Sequence, residues 1–402
     1  MDILAGKRIL LGVTGGIAAY KAPDLVSRLK KCGAEVKVVM TPHAEEFVTP
    51  LTFQTMSENV VYTNMFSTLD RMDVEHIALA KWADLIVIAP ATANTIAKLA
   101  HGIADNMLTT VLLARHSPIL IAPAMNTRML HNIATFENLE ILKDRGMTIL
   151  PTEDGRLACG DIGGGKMLAP ERIVTFIRSA LTPKDLLGKK LLISAGGTQE
   201  PVDPVRYIGN RSSGKMGYCL AEAARDRGAE VVLVSGPTML HVPEGIDMEH
   251  VETTQEMFDA VGKHIEWADA YLSPAAPADY RVASPSDQKI KKTGEHQDLH
   301  LDLVENPDIL RHYASQKGER LVVGFAAESE NLEEYAEAKR KKKNLDFIVA
   351  NNITMEGAGF SKDTNIVTIL DEEGAHPLEK MSKMELAHRI LDRLVARWKK
   401  ES

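Results

Sequence analysis

Short aliphatic runs alternate with amphipathic helical patterns along the first half of the chain. The runs are Arg8–Val13, Glu35–Met40, Leu85–Ala89 and Ile119–Ala122. A helical pattern extends from the first run to Lys31, Gly33 ends it, and Pro23 should kink or divide it. Because the runs are apolar at consecutive positions, they predict strands of a parallel sheet that helices cover on both faces.

The same alternation restarts near residue 190. The predicted elements there are the strands Lys190–Ala195 and Glu230–Val234, with a helix from about Gly214 to Arg227 between them, then the strands Leu321–Ala326, Phe347–Ala350 and Asn365–Leu370, and a closing amphipathic helix over Met384–Lys399. The tetrapeptide GAEV follows a helix in each half, at Gly33–Val36 and Gly228–Val231, and marks two separate βαβ openings.

A polar segment with Pro and Gly, Leu181–Lys189, separates the two halves. The sequence therefore predicts an α/β protein of two Rossmann-like three-layer domains with mainly parallel sheets. The predicted domains are residues 1–185 and 190–402.

Composition and charge narrow the class of protein. The 402 residues are 45% hydrophobic and carry a net charge of −8, which argues against a dedicated nucleic-acid binder. The cysteines Cys32, Cys159 and Cys219 show no CxxC spacing, so they indicate a reducing compartment and exclude a zinc ribbon or disulfide framework. Since the N-terminus lacks a signal-peptide layout and its apolar run is too short to cross a bilayer, we expect a cytoplasmic protein without a membrane partner.

Polar loops follow the predicted strands of the first half. They are TGGIAAYK (Thr14–Lys21), TPHA (Thr41–Ala44), PATANT (Pro90–Thr95) and PAMN (Pro123–Asn126). Ligands of open α/β sheets bind outside the carboxyl ends of the strands, and two glycines before a helix can hold a phosphate. The GxGxxG fingerprint is absent, which disfavours a nicotinamide-linked oxidoreductase and favours a mononucleotide.

Three residues of the first half are candidates for catalysis, and each also has an ordinary structural interpretation. Cys159 lies in LACGDIGGGKM (Leu157–Met167), a glycine-rich segment that we expect to hold no fixed shape, and the residues alone leave open a catalytic lid or a surface turn. His76, in VEHIALAKWAD, has the ordinary alternative of a surface or core histidine. Asn126 has the alternative of a helix N-cap.

The second half carries residues suited to activating a carboxylate. In GGTQEPVDPVRYIGNRSSGKMG (Gly196–Gly217), the serines before the helix predict an anion site or N-caps, and the missing GxxxxGK[ST] pattern excludes an ordinary P-loop. Lysines cluster in KIKK (Lys289, Lys291, Lys292) and KRKKKN (Lys339, Lys341–Lys343). These clusters lie near ENPDIL (Glu305–Leu310), GFAAE (Gly324–Glu328) and PAAPADYR (Pro274–Arg281), whose first six residues, Pro274–Asp279, are called the PAAPAD loop below. A solvated face is the alternative, but lysines and magnesium could neutralise a nucleoside triphosphate that converts a carboxylate into a reactive acyl-nucleotidylate.

In order along the chain, GGIAAYK, HIALAKWAD, PATANT, PAMN and ACGDIGGGKM resemble the flavin-dependent cysteine decarboxylases. The resemblance implies a flavodoxin-like fold and an FMN cofactor that serves as electron sink. It implies that His76 assists decarboxylation, that Asn126 grips the substrate carboxylate, and that Cys159 donates the final proton from a lid. The residues expected at the cofactor are Gly15, Gly16, Ile17, Ala18, Thr41, Pro90, Ala91, Thr92, Asn94 and Thr95.

The second half extends the resemblance to the bifunctional coenzyme A biosynthesis proteins, in which a phosphopantothenoylcysteine decarboxylase is fused to a phosphopantothenate–cysteine ligase. This implies CTP-dependent ligation of L-cysteine to 4′-phosphopantothenate, followed by decarboxylation to 4′-phosphopantetheine. Asn210 would handle the acyl-cytidylate, Lys289 would aid its formation, and Arg206 would clamp a phosphate or carboxylate. The residues expected at CTP or substrate are Arg206, Ser212, Ser213, Ser273, Pro274, Ala275, Asp279, Lys289, Pro307, Asp308, Ile309, Leu310, Phe325, Lys339 and Lys343.

The resemblance carries two further expectations and leaves one alternative. It implies Mg²⁺ with unidentified ligands, and a homo-oligomer of decarboxylase trimers and ligase dimers that could build a dodecamer. The alternative is a non-enzymatic flavoprotein regulator on the same fold, which Cys159 and the complete second half disfavour.

Overall fold

The structure is a computed structural model that describes residues 3–65, 75–156, 160, 162–291, 299–328, 331–352 and 363–401. The chain divides into two compact units, Met1–Thr182 and Pro183–Ser402. The division falls within the polar segment Leu181–Lys189.

The first unit begins with a strand, a 3₁₀ turn over Ile17–Lys21 and a helix. Its described strands are β1 (Arg8–Val13), β2 (Glu35–Met40), β3 (Val61–Tyr62), β4 (Leu85–Ala91), β5 (Ile119–Pro123), β6 (Thr148–Ile149), β7 (Glu153–Arg156) and β8 (Ile162–Lys166). Its described helices are α1 (Ala22–Lys31), α2 (Pro42–Glu45), α3 (Pro50–Ser57), α4 (Glu75–Trp82), α5 (Ala93–His101), α6 (Met107–Leu113), α7 (Thr127–Leu130), α8 (Ile133–Asp144) and α9 (Pro170–Leu181).

The main sheet of the first unit is parallel, in the order β3-β2-β1-β4-β5-β6. If the two-residue edge strand β3 is set aside, the remaining five strands have the flavodoxin-like order 2-1-3-4-5. The order reverses between β1 and β4, so a ligand crevice is expected outside the carboxyl ends of these strands.

The second unit has a larger, mixed sheet. Its described strands are β9 (Lys190–Ala195), β10 (Gln199–Asp203), β11 (Arg206–Gly209), β12 (Glu230–Ser235), β13 (Asp247–His250), β14 (Ala270–Ser273), β15 (Tyr280–Val282), β16 (Leu303–Glu305), β17 (Leu321–Glu328), β18 (Phe347–Asn352), β19 (Thr364–Asn365), β20 (Val367–Asp371), β21 (Gly374–Pro377) and β22 (Met381–Ser382). Its described helices are α10 (Lys215–Asp226), α11 (Thr254–Ile265), α12 (Ile309–Ala314), α13 (Leu332–Lys342) and α14 (Lys383–Glu401).

The sheet order in the second unit is β13-β12-β9-β14-β17-β18-β20-β21. The first six strands run parallel, whereas β20 and β21 pair antiparallel. The order reverses between β9 and β14. The prediction of two α/β domains with mainly parallel sheets is confirmed.

Both sheets are covered on both faces, because successive side chains of each strand enter different cores. In β1, Ile9 and Leu11 belong to one apolar core and Leu10 to the other. In β9, Leu191 and Ile193 enter one core of the second unit and Leu192 enters its other core. This two-sided burial is the physical reason that the parallel strands read as uninterrupted aliphatic runs.

Three details differ from the sequence-based predictions. Pro23 lies in the first turn of α1, after the 3₁₀ turn, where its missing N–H breaks no helical hydrogen bond; it therefore divides the predicted helix. The predicted strand over Asn365–Leu370 is interrupted between β19 and β20. The antiparallel pairs β7–β8, β10–β11 and β15–β16, and the short parallel strands β13 and β14 of the main sheet, were not predicted.

Candidate active sites

A cavity of about 460 Å³ opens at the carboxyl ends of β1, β2 and β4 in the first unit. Its lining residues are Gly15, Thr41, Pro42, His43, Thr92, Ala93, Asn94, Thr95, Lys98, Asp105, Asn106 and Met129. The structure thus brings together five of the residues expected at the cofactor, Gly15, Thr41, Thr92, Asn94 and Thr95. The cavity lies where the strand order reverses, as expected for a parallel sheet.

Thr14 joins two of the loops that build this cavity. The Thr14 side chain is fully buried. Its Oγ1 donates to the backbone oxygen of Pro90 (2.8 Å) and accepts from the backbone N of Thr92 (3.0 Å). Gly15 allows the TPHA loop to approach the loop after β1, because a Cβ on Gly15 would lie 2.3 Å from His43 Cβ. The sequence analysis quoted Thr14 only as part of a motif and missed its role.

One wall of the cavity is the N-terminus of α5. Thr92 is its N-cap, with its Oγ1 accepting from Thr95 N (3.4 Å). Lys98 on the same helix pairs with Asp105 at 2.5 Å, and Asp105 also accepts from Asn106. Hydroxyls, amides, a cation and backbone N–H groups at a helix N-terminus are suited to bind a phosphate and a polyol.

Other residues expected in the first half do not line this cavity. They are Gly16, Ile17, Ala18, His76, Pro90, Ala91 and Asn126. Ala91 is fully buried in the core, and Pro90 acts through its backbone oxygen. His76 is half-buried near the start of α4. Asn126 caps the short helix α7, its Oδ1 accepting from Arg128 N (2.8 Å).

The part of the glycine-rich segment from Ile162 onward has a defined structure, which corrects the expectation that this part holds no fixed shape. Ile162–Lys166 forms β8 and pairs antiparallel with β7. A Cβ on Gly165 would lie 2.3 Å from Met125 O, so this glycine is needed for close packing against the PAMN loop. Cys159 itself lies outside the described residues, so its predicted role stays a prediction.

A second cavity, of about 440 Å³, lies at the carboxyl edge of the sheet in the second unit. Most residues expected at CTP or substrate line it: Asn210, Ser212, Ser213, Ser273, Pro274, Ala275, Asp279, Pro307, Asp308, Ile309, Leu310, Phe325, Lys339 and Lys343. They are contributed by the loops after β11, β14 and β16, by α12 and β17, and by α13 with its C-cap. Residues far apart in the sequence therefore converge on one site.

Two of the cavity's lysines are held by hydrogen bonds. Lys339 Nζ donates to the backbone oxygen of Phe325 (3.0 Å), and Lys343 Nζ donates to Asp308 (2.9 Å). Burial opposes ionisation of Asp308, but the bonds from Lys343 Nζ and Arg311 N prevail and lower the pKa of its carboxyl group. The Asp308 carboxylate therefore stays charged and fixes both Lys343 and the start of α12.

A buried hydroxyl network, missed by the sequence analysis, fixes the PAAPAD loop after β14. Thr198 Oγ1 accepts from Ala278 N (2.8 Å) and contacts Thr254 Oγ1 at 2.8 Å. Thr254 donates from its N (2.8 Å) and its Oγ1 (2.7 Å) to Glu200, which is 2% exposed. Asn306 Nδ2 also donates to Ala278 O (2.9 Å). The network holds the backbone that carries Asp279 at the cavity rim.

Arg206 and Lys289 do not line the second cavity. Arg206 Nη2 donates to Ile290 O (2.9 Å), and Asp203 Oδ2 accepts from Ile290 N (3.1 Å). The clamp that Arg206 forms in this structure is thus made with the backbone beside Lys289. Lys289 is exposed, and Lys292 lies outside the described residues.

Several residues that line the second cavity were not expected there. Lys215 begins α10 and pairs with Asp363, and Lys383 begins α14 and is 4% exposed. Tyr271, which is fully buried, donates towards Ser194 Oγ (3.3 Å) and Ser273 Oγ (3.2 Å). In the sequence Lys383 and Tyr271 give no signal, since they sit inside ordinary helical and strand patterns.

One cluster with metal-ligand chemistry lies apart from both cavity linings. Asp371, Glu373 and His376 place one ligand atom each within 4.8 Å of one another. Arg393 donates to all three side chains, at 2.5 Å to Asp371 Oδ2, 2.7 Å to Glu373 Oε2 and 3.2 Å to His376 Nε2. The Arg393 guanidinium therefore supplies the positive charge that a metal ion would otherwise bring to these three side chains.

Each half of the chain matches the model of a different flavoprotein family. Residues 2–182 match the model of the Flavoprotein family, and residues 186–397 match that of the DNA/pantothenate metabolism flavoprotein C-terminal domain. Fold and site thus define a two-part flavoprotein enzyme.

Full-length relatives then identify the family. The chain is 47% identical over 395 residues to the coenzyme A biosynthesis bifunctional protein CoaBC of Vibrio vulnificus, covering 98% of each chain. It is 45% identical to the proteins of that name from Escherichia coli, over 398 residues, and Bacillus subtilis, over 399 residues, again covering 98% of each chain. The chain belongs to the family of bifunctional coenzyme A biosynthesis proteins. It is an enzyme with a flavoprotein decarboxylase domain and a ligase domain, and the regulator alternative is not favoured.

Across the parts of the chain that the structure describes, no helix is both long enough and apolar enough to cross a bilayer.

Proposed function

We propose that the second unit ligates L-cysteine to 4′-phosphopantothenate with CTP, and that the first unit decarboxylates the product to 4′-phosphopantetheine with FMN. The observation that carries the proposal is that most residues expected at CTP or substrate line one cavity of the second unit, and that five residues expected at the cofactor line a cavity of the first. The relatives' names place the chain in coenzyme A biosynthesis, and the two cavities supply suitable binding groups for both reactions.

In the ligase unit, the nucleotide occupies the cavity rim between the PAAPAD loop and α12. Asp308 at the N-terminus of α12, Lys339 and Lys343 provide fixed charges and donors for the ribose and phosphates. Asn210 is exposed at the cavity wall, where its Nδ2 donates to Pro277 O (2.9 Å), and it is the amide proposed to hold the acyl group. The carboxylate of 4′-phosphopantothenate attacks the α-phosphate, pyrophosphate leaves, and the cysteine amine displaces the nucleoside monophosphate from the acyl-cytidylate.

Magnesium would accompany the triphosphate. The carboxylates that line the ligase cavity are Asp279, Glu305 and Asp308, and carboxylate oxygens are hard ligands of the kind that Mg²⁺ prefers. When bound, the ion would neutralise phosphate charge. Asp308 already holds Lys343, so Asp279 and Glu305 are the better candidates.

In the decarboxylase unit, the cavity fits a flavin mononucleotide. Its volume of about 460 Å³ lies within the range of about 300–1,000 Å³ typical of ligand sites. Thr92, Asn94 and Thr95 at the start of α5 would hold the phosphate, and Thr41 with Asn106 would serve the polyol chain. Bound FMN supplies a two-electron sink and returns those electrons to the product.

The residues of the chain then orient the substrate and move its protons. Asn126 holds the substrate carboxylate, and His76 assists loss of carbon dioxide as a base or electrostatic partner. Cys159 returns a proton to the product, which suits a thiol because it is mostly protonated at neutral pH.

The proposal includes self-association. Exposed apolar side chains on the first unit, among them Leu51 (69%), Ile133 (67%) and Ile162 (84%), suit contacts between copies of the chain. Light scattering should give a mass that is a multiple of the 44.1 kDa chain, with twelve copies in the fullest assembly. A monomer at micromolar concentration would contradict this part.

The test of the proposed function is a purified sample. We expect a yellow protein that releases pyrophosphate from CTP over many turnovers only when both 4′-phosphopantothenate and cysteine are present, with at most one equivalent per site when cysteine is left out. It should then form 4′-phosphopantetheine and carbon dioxide, each detected by mass spectrometry. UTP and ATP serve as nucleotide controls. A colourless protein that oxidises NADH would exclude the proposal. Pyrophosphate release from CTP when both 4′-phosphopantothenate and cysteine are absent would also exclude it.

A further inference from the structure

Thr127 ties the PAMN loop to the glycine-rich strand β8. Its Oγ1 donates to Gly164 O at 2.7 Å, across 37 positions in the sequence. Beside it, Met125 N donates to Gly165 O at 2.9 Å. The loop that carries Asn126 is therefore connected to β8 by one side-chain hydrogen bond and one backbone hydrogen bond.

The glycines of β8 make this contact close. A Cβ on Gly163 would lie 2.8 Å from Thr127 Oγ1, and a Cβ on Gly165 would lie 2.3 Å from Met125 O. Gly165 also has a φ of +112°, which side chains rarely adopt. On its other side, Gly164 would place a Cβ 3.2 Å from Asp154 Oδ1 of β7. Thus β8 is held between the PAMN loop and β7.

We propose that Thr127 is a positioning residue of the decarboxylase, which fixes β8, the strand that follows Cys159 in the sequence, against the loop that carries Asn126. This inference rests on the proposed function. Asn126, the proposed carboxylate grip, adjoins Thr127 in the sequence, and Cys159, the proposed proton donor, precedes the first residue of β8 by three positions. Loss of the Thr127 hydroxyl would weaken the attachment of β8 to the loop, while the backbone bond between Met125 and Gly165 remains.

The bond can be removed without removing the loop. Asn126 Oδ1 accepts from Arg128 N, Ala124 N donates to Ala91 O (3.0 Å), and the Met125–Gly165 bond involves only backbone atoms. These contacts do not use the Thr127 hydroxyl. A Thr127→Val variant should therefore keep the grip of Asn126 on the carboxylate and lose mainly the anchorage of β8.

The two halves of the reaction should respond differently. Substrate oxidation needs Asn126 and the flavin, whereas product protonation needs Cys159. In Thr127→Val we expect the bleaching of the bound flavin near 450 nm, on rapid mixing with 4′-phosphopantothenoylcysteine, to stay within about threefold of wild type. Recovery of the yellow colour should slow by about tenfold, the effect of losing one net hydrogen bond.

Amide hydrogen exchange gives a readout that does not depend on turnover. The amides of Gly163–Gly165 should exchange about tenfold faster in Thr127→Val. Thr127→Ser keeps the hydroxyl and should restore both exchange and recovery. Thr55→Val is the matched control, because the Thr55 hydroxyl donates to Leu51 O at 2.9 Å on an exposed helix away from the cavity.

The outcomes separate the inference from the proposed function. Recovery as fast as wild type in Thr127→Val, equal slowing of bleaching and recovery, or failure of Thr127→Ser to rescue would each overturn the positioning role. If the wild-type protein itself does not bleach with substrate, the proposed function fails, and the exchange experiment alone decides whether Thr127 anchors β8. If the valine variant does not fold, Thr127→Ala replaces it in both measurements.

Discussion

The backbone N of Thr92 donates to Oγ1 of Thr14 at 3.0 Å, which joins the ends of β1 and β4 across 78 positions of sequence. The same hydroxyl donates to Pro90 O at 2.8 Å, so one fully buried side chain sets the spacing of two cavity loops. The cavity in the first unit depends on this long-range bridge.

Replacing Thr14 with valine should weaken flavin binding. The variant leaves the Thr92 N–H and the Pro90 carbonyl without their partner, at a cost of about 1–3 kcal/mol. We expect roughly a tenfold rise in the dissociation constant for FMN, measured by fluorescence quenching on apoprotein, and a lower melting temperature. Thr14→Ser keeps both bonds and should behave like wild type; an unchanged affinity in the valine variant would contradict the role of the bridge.

Replacing Thr198 with valine should impair the ligase without affecting the decarboxylase. Its Oγ1 accepts from Ala278 N at 2.8 Å, so the variant releases the PAAPAD loop at a cost of about 1–2 kcal/mol. We expect KM for CTP to rise five- to thirtyfold in a pyrophosphate-release assay. The decarboxylation of supplied 4′-phosphopantothenoylcysteine provides the internal control, and Thr198→Ser should restore CTP binding.

Replacing Arg227 with methionine should destabilise the second unit. The guanidinium, 5% exposed, donates to Asp185 (2.8 Å from Nε) and to Asp392 (2.8 Å from Nη1) and so joins the start of this unit to α14. Since both carboxylates are partly exposed, the loss should be about 2–3 kcal/mol, measured by urea unfolding. Arg28→Met, which breaks the exposed pair with Asp24, should change the urea midpoint far less than Arg227→Met does, because solvent screens that pair.

The Arg227 effect should depend on pH. The hydrogen bond from Arg227 holds the pKa of the Asp185 carboxyl below its usual range. This stabilisation is present above the unfolded-state pKa of about 3.9 and is lost as the pH falls through the lower folded-state value. The stability difference between wild type and Arg227→Met should therefore be constant from about pH 5 to 7 and shrink below about pH 4. A difference that grows on acidification would contradict this assignment.

Cys219 should resist alkylation. Burial raises the pKa of its thiol to about 12, so its thiolate is scarce at neutral pH. In native protein treated with iodoacetamide at pH 8 and analysed by peptide mass spectrometry, Cys219 should react at least a hundredfold more slowly than a free thiol. The rate should rise with pH until the protein unfolds. Rapid labelling of Cys219 at pH 8 would show that it is not packed as described.

The sequence predicted best what depends on burial on both faces. Arg8–Val13 and Lys190–Ala195 have the predicted limits because both are central strands, buried after their first residue and mainly aliphatic. The pairs β7–β8 and β10–β11 were not predicted because IGGGK (Ile162–Lys166) and QEPVD (Gln199–Asp203) have no alternating apolar pattern. Gly or Pro within these segments favours a loop. Their structure is set by tertiary contacts, such as those of Gly165 with the PAMN loop.

The site was predictable where motifs follow strands and unpredictable where hydroxyls join distant segments. Position after β4 sufficed to place Thr92 at the cavity, whereas Asp308 was expected at its cavity only because ENPDIL (Glu305–Leu310) resembles the ligase sequence. Thr14 and Thr198 act through partners about 80 positions away, and a single threonine in a strand or loop carries no sign of its partner. Lys383 was missed because its burial at the cavity depends on where α14 packs.

Each of the four apolar cores draws the residues that form it from a single unit. A gene cut between the codons for Thr182 and Pro183 should therefore give two polypeptides that fold when produced separately. Mixed in one vessel, they should still convert 4′-phosphopantothenate to 4′-phosphopantetheine, with the intermediate diffusing between them. The covalent join then serves supply and proximity rather than folding.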